Sequence, residues 1–420
     1  MNKRVLVIGI TMSMGGTEKA LLSFLEELRE NGDSVSLLLA EHSGPLMSRI
    51  PKHVSLLPPL QNGRLFTLSR QNAFSVFTSL RFRGKHTFLL RHAKDLLYLL
   101  LRKPGASERF FLALMKEAIS PFSEEFPSRS YDEALAFAGD RTMFYLCDKI
   151  DSPKKIAWLH FDYRFPQRDD AVYAQYFETC DTVVSVSESC TALLRKRFPQ
   201  IKDRFVTRLN RLPTNEILHL AKEPLSLPDD GENTVRLLSV MRLCHQKGAD
   251  MIPEILSELR RQGYTVRWYL LGAGDRRTVQ RLFRDGKRLG VDGMISDLGP
   301  VTNPYPYFLA CDILILPSRY EGMSVTVEEA KLLRLPYVTT NHLSAKEQCD
   351  ADAFGILCDT TPTAIATGAI RMIQSQDERL RYRRLPSPLI KDMSFAMPSA
   401  DCNETVNFQN TSCIKRNDVV

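Results

Sequence analysis

The fold is decided by residues 235–271, VRLLSVMRLCHQKGADMIPEILSELRRQGYTVRWYLL, which contain a strand, a loop, a helix and a second strand. The apolar runs at 235–241 and 265–271 are typical of strands. Between them, apolar residues recur at helical spacing over 251–262. Strands that alternate with helices in this way predict a parallel sheet.

The same alternation continues on both sides of this unit. Downstream, the sequence predicts strands at 294–298, 312–316 and 337–339 and a helix at 326–333. Upstream, it predicts strands at 5–8, 35–40, 155–159 and 182–186 and helices around 21–28 and 191–198. Between the two series, Pro, Asp and Gly cluster at 224–233. We therefore expect an α/β protein with two doubly wound, Rossmann-like domains.

Length and composition agree with two globular domains. The chain has 420 residues, of which 44% are hydrophobic and 25% charged, which excludes a disordered or coiled-coil protein. Its nine cysteines include no CxxC pair, so neither a zinc knuckle nor a thioredoxin-type site is indicated. The basic N-terminus lacks a signal-peptide cleavage pattern, and no uncharged apolar run is long enough to cross a membrane. We expect a reduced, cytoplasmic protein.

Residues 61–110 differ from the rest of the first domain. They contain ten Lys or Arg against two acidic residues, with Phe and Leu between the charges. This pattern favours a basic amphipathic helix on an anionic membrane surface or a helical insert whose arginines face water. Nucleic acid is a third partner, but no nucleic-acid-binding motif is present. The polar segment 386–420 loses its periodicity, and we expect it to be disordered.

Two glycines, Gly15 and Gly16, follow the first strand and precede a helix. They let a ligand approach the backbone, and free N–H groups at a helix N-terminus favour an anion. An ordinary tight turn explains the pair equally well. The full dinucleotide fingerprint is absent here, and Gly272-Ala273-Gly274 supplies only half of it, so a nicotinamide enzyme is disfavoured.

Two cations, Arg242 and Lys247, lie just after the strand at 235–241. Ligands of open α/β sheets bind at the carboxyl ends of the strands. An arginine and a lysine there can hold a diphosphate, whereas the alternative is a solvated loop. The glycine that follows Lys247 favours the functional interpretation.

Another candidate segment is 318–330, SRYEGMSVTVEEA, which follows the strand at 312–316. Its glycine, Gly322, allows backbone amides to converge on a ligand where a helix starts near Ser324. The carboxylates of Glu321 and Glu329 can each accept hydrogen bonds from a pair of sugar hydroxyls. A capped helix with exposed acids is the alternative interpretation.

A histidine, His160, ends the strand at 155–159 and therefore lies at the carboxyl edge of the first sheet. A lone histidine beside aromatic residues is more often structural than functional. The Asp-Ala-Asp sequence at 350–352 has the form of a metal-binding motif, but no apolar strand leads into it, so we expect a loop and no metal site.

Taken together, these segments resemble the retaining GT-B glycosyltransferases of family 4, the group 1 glycosyl transferases. The resemblance runs from about residue 3 to about residue 375 and is strongest over 235–348. It includes the E-x7-E motif from Glu321 to Glu329, the diphosphate-binding Arg242 and Lys247, and Gly15-Gly16-Thr17-Glu18. The segments 158–163 and 184–189 are most similar to members that build bacterial surface polysaccharides.

The resemblance implies an acceptor-side domain at 1–210 and a nucleotide-sugar-binding domain at 211–385. It further implies a UDP- or GDP-sugar donor, a glycan or lipid-linked acceptor, no metal, no other cofactor and no nucleic-acid partner. The protein would be cytoplasmic or peripheral on the inner face of the plasma membrane.

The resemblance also assigns roles to residues. Arg242 and Lys247 would stabilise the leaving diphosphate, with help from the amides of Gly15, Gly16 and 322–325 (Gly322, Met323, Ser324, Val325). Glu321 would orient the sugar, Glu329 would bind the ribose, and His160 would face the sugar from the other domain. Two rivals stay open: a non-catalytic sugar-nucleotide-binding partner subunit of the same fold and a GT-B sugar-nucleotide epimerase.

Overall fold

The computed structural model describes residues 3–67, 85–101, 106–119, 131–231, 233–349 and 354–385. Within them lie two sheets, one of seven strands and one of six, in which all strand pairs are parallel. Helices connect successive strands, as the alternation in the sequence predicts. The predicted α/β class with two doubly wound domains is confirmed.

The first sheet has the strand order β3-β2-β1-β4-β5-β6-β7. Its strands are β1 (Arg4–Gly9), β2 (Ser34–Leu39), β3 (Ser55–Leu56), β4 (Glu133–Ala136), β5 (Lys155–Leu159), β6 (Thr182–Ser185) and β7 (Phe205–Thr207). The second sheet has the order β10-β9-β8-β11-β12-β13. Its strands are β8 (Val235–Val240), β9 (Val266–Leu271), β10 (Ile295–Gly299), β11 (Ile313–Leu316), β12 (Tyr337–Thr340) and β13 (Gly355–Cys358).

Among the described residues, the α-helices of the first domain are α1 (Gly16–Glu30), α2 (Lys85–Arg91), α3 (Ala93–Leu100), α4 (Ala106–Ala118), α5 (Asp140–Lys149), α6 (Asp170–Thr179) and α7 (Glu188–Arg197). Those of the second are α8 (Thr214–Leu220), α9 (Ile252–Arg261), α10 (Arg276–Leu289), α11 (Tyr305–Ala310), α12 (Val325–Leu332), α13 (Ala345–Cys349), α14 (Pro362–Gln374) and α15 (Gln376–Arg384).

The centre of the second sheet shows how its register is held. In β8 the residues alternate between the two faces, so Leu237 and Ser239 point the same way, and Leu237 pairs with Trp268 of β9. The buried indole of Trp268 donates to the Ser239 hydroxyl at 3.0 Å. That hydroxyl donates in turn to the carbonyl of Ile315 in β11. One polar side chain therefore links three buried neighbouring strands, and each of its partners is satisfied.

Both sheets reverse their strand order at one point, between β1 and β4 in the first and between β8 and β11 in the second. Connections on the two sides of such a point diverge, which leaves a crevice at the carboxyl ends of the central strands. The segments after β1, β5, β8 and β11 carry all four groups of residues that the sequence singles out. The topology thus explains why those groups occur after strands.

The segment 61–110 is described only in part. Arg81, Arg83 and the Asp-Ala-Asp sequence at 350–352 lie outside the described residues, as does the segment 386–420. Two of the phenylalanines expected on an amphipathic surface, Phe66 and Phe88, are buried in the core instead. The described apolar residues that face solvent here are leucines, namely Leu90, Leu97, Leu100 and Leu101. In the described part of the chain, no helix combines the length and the hydropathy needed to cross a membrane.

Candidate active site

The loop after β8 is packed against the end of β11 through Gly248. This glycine has φ +72°, and a Cβ atom on it would lie 2.0 Å from the carbonyl oxygen of Pro317, so the close approach requires glycine. Arg319, in the segment after β11, also donates to the carbonyl of His245 in this loop, at 2.6 Å. Lys247 is therefore held beside the segment that follows β11.

The predicted cation Lys247 and the predicted carboxylate Glu321 form an ion pair in this place. Lys247 Nζ lies 2.5 Å from Glu321 Oε1, and the side chain of Glu321 is 8% exposed. Burial opposes ionisation of Glu321, but the charge and hydrogen bond of Lys247 outweigh it and hold the pKa of Glu321 below its ordinary value. The carboxylate is thus charged at neutral pH and can accept hydrogen bonds from hydroxyl groups.

The other predicted cation, Arg242, is exposed and has one hydrogen bond to a side chain, from Nη2 to Gln246 Oε1 at 3.1 Å. Gln246 in turn donates to the carbonyl of Tyr320 at 3.2 Å. Burial raises the pKa of Glu18 in α1, and the charge of Arg242 partly offsets this effect. Arg242 therefore lies near the turn of the first domain that contains Gly15 and Gly16.

The N-termini of two helices from different domains meet beside these cations. Helix α1 begins at Gly16 after the N-cap Gly15, and helix α12 begins at Val325 after the N-cap Ser324. A Cβ atom on Gly16 would lie 3.2 Å from the side chain of Val325. Because a helix N-terminus carries a partial positive charge, this junction favours an anion.

Not every amide of the predicted binding loop is available. The N–H of Ser324 donates to Gln348 Oε1 at 3.1 Å, and Gln348 Nε2 donates back to the carbonyl of Ser324 at 3.0 Å. Met323 and Val325 are half-buried on either side. Gln348 thus holds the loop in place. No sequence pattern links it to Ser324, which lies 24 residues earlier.

The segment after β11 also contacts the predicted histidine of the first domain. A Cβ atom on Gly322 would lie 2.7 Å from the carbonyl oxygen of His160, and Ser187 donates to the carbonyl of Gly322 at 3.2 Å. The Nε2 atom of His160 is buried without a hydrogen-bond partner among the described residues. Burial lowers the pKa of His160 to about 3, so its ring is neutral at physiological pH.

The second predicted carboxylate, Glu329, is 1% exposed and is bound across the domain junction. Its Oε1 accepts from Lys19 Nζ at 2.7 Å and from the hydroxyl of Tyr305 at 3.0 Å. Lys19 belongs to α1, whereas Tyr305 and Glu329 belong to the second domain. Sequence reasoning missed these partners, because neither is among the predicted site residues and Lys19 lies 310 residues from Glu329 along the chain.

The structure therefore brings the predicted residues of both domains to one junction. Arg242, Lys247 and Glu321 come from the second domain, and Gly16 and His160 come from the first. Within the described ranges, no three His, Cys, Asp or Glu side chains are grouped so that they could hold a metal ion. The arrangement offers positive charge for an anion and a charged carboxylate for hydroxyl groups.

Residues 234–375, which contain the second sheet, match the family model described as glycosyl transferases, group 1. Among curated proteins, the chain is similar to an uncharacterized glycosyltransferase of Haemophilus influenzae, with 25% identity over 49% of this chain and 56% of the relative. It is also similar to the putative colanic acid biosynthesis glycosyltransferase WcaL of Escherichia coli, with 24% identity over 44% of this chain and 45% of that protein. The chain thus spans about half the length of these curated relatives.

Among solved structures, the chain is similar to HepE of Anabaena in complex with UDP and glucose. The TM-score is 0.61 at 16% identity, and the match covers 91% of this chain and 93% of HepE. At that identity the likeness concerns the fold alone. Together with the two parallel sheets whose carboxyl edges meet at one junction, it assigns the chain the GT-B fold.

Proposed function

We propose that the protein is a retaining glycosyltransferase of family 4 that transfers a sugar from a nucleotide-sugar donor to a glycan or lipid-linked acceptor. The observation that carries the proposal is the convergence of Arg242, Lys247 and Glu321 with the Gly15-Gly16 turn at the domain junction. The family match over 234–375 and the similarity to a putative colanic acid glycosyltransferase support a role in the biosynthesis of bacterial surface polysaccharides, such as capsule or lipopolysaccharide.

The donor would bind with its diphosphate against Arg242 and Lys247 and its sugar against Glu321. As the bond from the anomeric carbon to the phosphate oxygen breaks, positive charge develops on the sugar and negative charge on the diphosphate. The two cations and the N-termini of α1 and α12 stabilise the negative charge in place of a metal ion. HepE was solved with UDP and glucose, which supports a nucleotide of this kind as donor.

In a retaining transfer, the acceptor oxygen attacks the anomeric carbon from the face that the phosphate leaves. The leaving phosphate oxygen takes the proton of the acceptor hydroxyl, so no protein base is required. His160 of the first domain, which is neutral and has an unpartnered Nε2, would form a hydrogen bond with the sugar through that nitrogen. Glu329 would bind the ribose through Oε2, because Oε1 is occupied by Lys19 and Tyr305.

The proposal is tested by incubating the protein with a panel of UDP- and GDP-sugars, with and without a lipid-linked acceptor fraction. Release of nucleoside diphosphate that depends on the acceptor, with the anomeric configuration of the donor retained in the product, is expected. Conversion of the donor without acceptor would identify an epimerase instead. Binding without any turnover would identify a non-catalytic subunit. Activity that EDTA abolishes and magnesium restores would contradict the metal-free mechanism.

We also propose that the insert at 61–110 binds an anionic membrane surface, which would place the protein on the inner face of the plasma membrane. The net charge of this segment, ten cations against two acids, supports the proposal. So do the exposed leucines of α2 and α3, with Leu90 80% and Leu100 67% exposed. Basic residues give a salt-sensitive contribution and inserted leucines a salt-resistant one.

Liposome co-sedimentation tests the membrane proposal. Anionic vesicles are expected to bind the protein more strongly than neutral ones, and salt is expected to weaken that binding. Replacing Arg81, Arg83 and Lys85 with Glu should release the protein without changing its thermal melt. Replacing Leu309, an exposed leucine of the second domain, with Ser is the control. Equal binding to both vesicle types would leave the insert as a solvated helical segment.

A further inference from the structure

A second buried histidine, His342, belongs to none of the motifs that the sequence singles out. It lies two residues after Thr340, whose hydroxyl donates to the carbonyl of Ser318 in the segment that contains Glu321. It follows β12 (Tyr337–Thr340), so it lies at the same carboxyl edge of the second sheet as the proposed donor site. The residue is only 4% exposed. Its Nδ1 lies 3.2 Å from Ser344 Oγ, whereas its Nε2 is buried with no hydrogen-bond partner in the described part of the chain.

The electrostatic environment of His342 includes the ion pair of the proposed site. Burial lowers the pKa of His342 to about 4, while the charges of Glu321 and Asp162 raise it and that of Lys247 lowers it. The ring is therefore neutral at physiological pH and lies within electrostatic reach of the ion pair of the proposed site. A neutral imidazole has one N–H donor and one acceptor nitrogen.

The unpartnered nitrogen is available to a hydroxyl that a ligand supplies. Buried polar atoms in folded proteins nearly always have a partner, and each exception requires an explanation. If the Ser344 hydroxyl donates to Nδ1, the proton of the neutral ring resides on Nε2. A sugar hydroxyl can accept from that Nε2–H group and donate to the carboxylate of Glu321 at the same time.

We propose that His342 binds a hydroxyl of the donor sugar through Nε2 and so helps to determine which sugar the site accepts. The inference rests on the proposed function, since it assigns a sugar contact to the same site. His342 and Glu321 belong to one domain, so the contact does not depend on how the two domains meet. A histidine that binds the sugar should matter for nucleotide sugars and not for the nucleoside diphosphate alone.

Isothermal titration of the full chain with UDP, GDP and a panel of UDP- and GDP-sugars tests this inference. For the sugar nucleotide that binds the wild type best, His342→Leu is expected to weaken affinity about tenfold, the usual effect of losing one buried hydrogen bond. Affinity for the matching nucleoside diphosphate should stay within about twofold. His342→Gln, which keeps an N–H donor, should restore part of the loss. His219→Leu, at an exposed histidine of the second domain, is the control.

Equal weakening of sugar nucleotide and nucleoside diphosphate would overturn the inference, because it would indicate a structural role. No weakening of either would overturn it as well. If His342→Leu does not fold, the affinities for the sugar nucleotide and for the nucleoside diphosphate are compared in His342→Asn, which has a shorter side chain. A wild-type protein that binds none of the nucleotide sugars would overturn the proposed function, and the sugar contact with it. Wild-type binding with an unaffected variant would remove the role of His342 alone.

Discussion

The two carboxylates of the site, Glu321 and Glu329, are both buried and both bound by a lysine, but the lysines come from different places. Lys247, the partner of Glu321, lies in the same domain, 2.5 Å away. Lys19, the partner of Glu329, lies in the other domain, 2.7 Å away. The first pair persists however the domains are arranged, whereas the second exists only while they are in contact.

This difference assigns separate structural roles to the two glutamates of the motif. The pair around Glu321 keeps a carboxylate charged and oriented inside one domain, which suits a group that must position a reacting sugar. The pair around Glu329 joins the domains next to the proposed ribose site, which suits a group that links nucleotide binding to domain contact.

The largest effect is expected for Glu321→Gln. Loss of the charged acceptor removes hydrogen bonds to the donor sugar, so kcat/KM should fall about 1000-fold. Glu329→Gln, by contrast, should lower the affinity for the nucleotide about tenfold. Steady-state kinetics and titration with nucleoside diphosphate measure the two effects. Kinetics in which both variants resemble the wild type would remove the E-x7-E interpretation.

Breaking the pair inside the second domain should cost stability as well as activity. Lys247→Met leaves the buried carboxylate of Glu321 without its cation, which is expected to lower the free energy of unfolding by about 3 kcal/mol. The double variant Lys247→Met/Glu321→Gln should recover most of that stability but no activity. Urea unfolding measures both. A single variant as stable as the wild type would contradict the structural role of the pair.

Arg242→Ala is expected to affect binding alone. The side chain is exposed and has one side-chain hydrogen bond, to Gln246, so the free energy of unfolding should hardly change. Loss of a charge-assisted hydrogen bond to the diphosphate should weaken donor binding by about 1.5–3 kcal/mol. Titration with the donor measures the loss, and Arg284→Ala, at an exposed arginine of α10, is the control. Unchanged affinity would locate the diphosphate elsewhere.

Lys19→Met should break the pair between the domains without unfolding either of them. Tyr305 still donates to Glu329, and local opening of the junction lets water reach the carboxylate, so the free energy of unfolding should fall by only about 1 kcal/mol, in contrast to Lys247→Met. Hydrogen–deuterium exchange of α1 should be faster than for Lys19→Arg, which keeps the charge. Equal destabilisation by Lys19→Met and Lys247→Met would erase the distinction between the two pairs.

A further effect concerns acid stability. The pKa values of His160 and His342, about 3 and about 4 in the folded protein, lie below the ordinary value of 6.5. The unfolded chain therefore takes up protons first as the pH falls below about 6.5, and each histidine lowers stability by up to about 1.4 kcal/mol per pH unit from there towards its folded pKa. Urea unfolding from pH 7 to pH 4 should show a shallower decline for His342→Gln than for the wild type.

The sequence predicts the architecture well, because apolar strands and amphipathic helices have periods that can be read directly. The predicted strand at 155–159 coincides with β5. The predicted strand at 235–241 and the predicted helix at 251–262 end within one residue of β8 and α9. Strands β3, β4, β7 and β13, of two to four residues, were missed, since segments this short give little periodicity. The equally short β6, β11 and β12 were predicted.

The candidate site was less predictable than the fold. Position after a strand identifies Arg242 and Glu321, because topology fixes where strand ends meet. No local pattern reveals that Lys19 reaches Glu329 or that His342 lies near the segment that contains Glu321, since both depend on how distant segments pack. The burial of Phe66 and Phe88 could not be predicted from the sequence either, because an aromatic residue between cations fits a core segment as well as a surface helix.

The proposed donor site is tested most directly by a crystal structure of the protein with the nucleotide sugar that stabilises it most in a thermal-shift screen. This site predicts the diphosphate within hydrogen-bond distance of Arg242 and Lys247 and beside the N-termini of α1 and α12. It predicts sugar hydroxyls on the carboxylate of Glu321, with His342 Nε2 bound to one of them. A nucleotide sugar bound away from the carboxyl ends of β8 and β11 would contradict it.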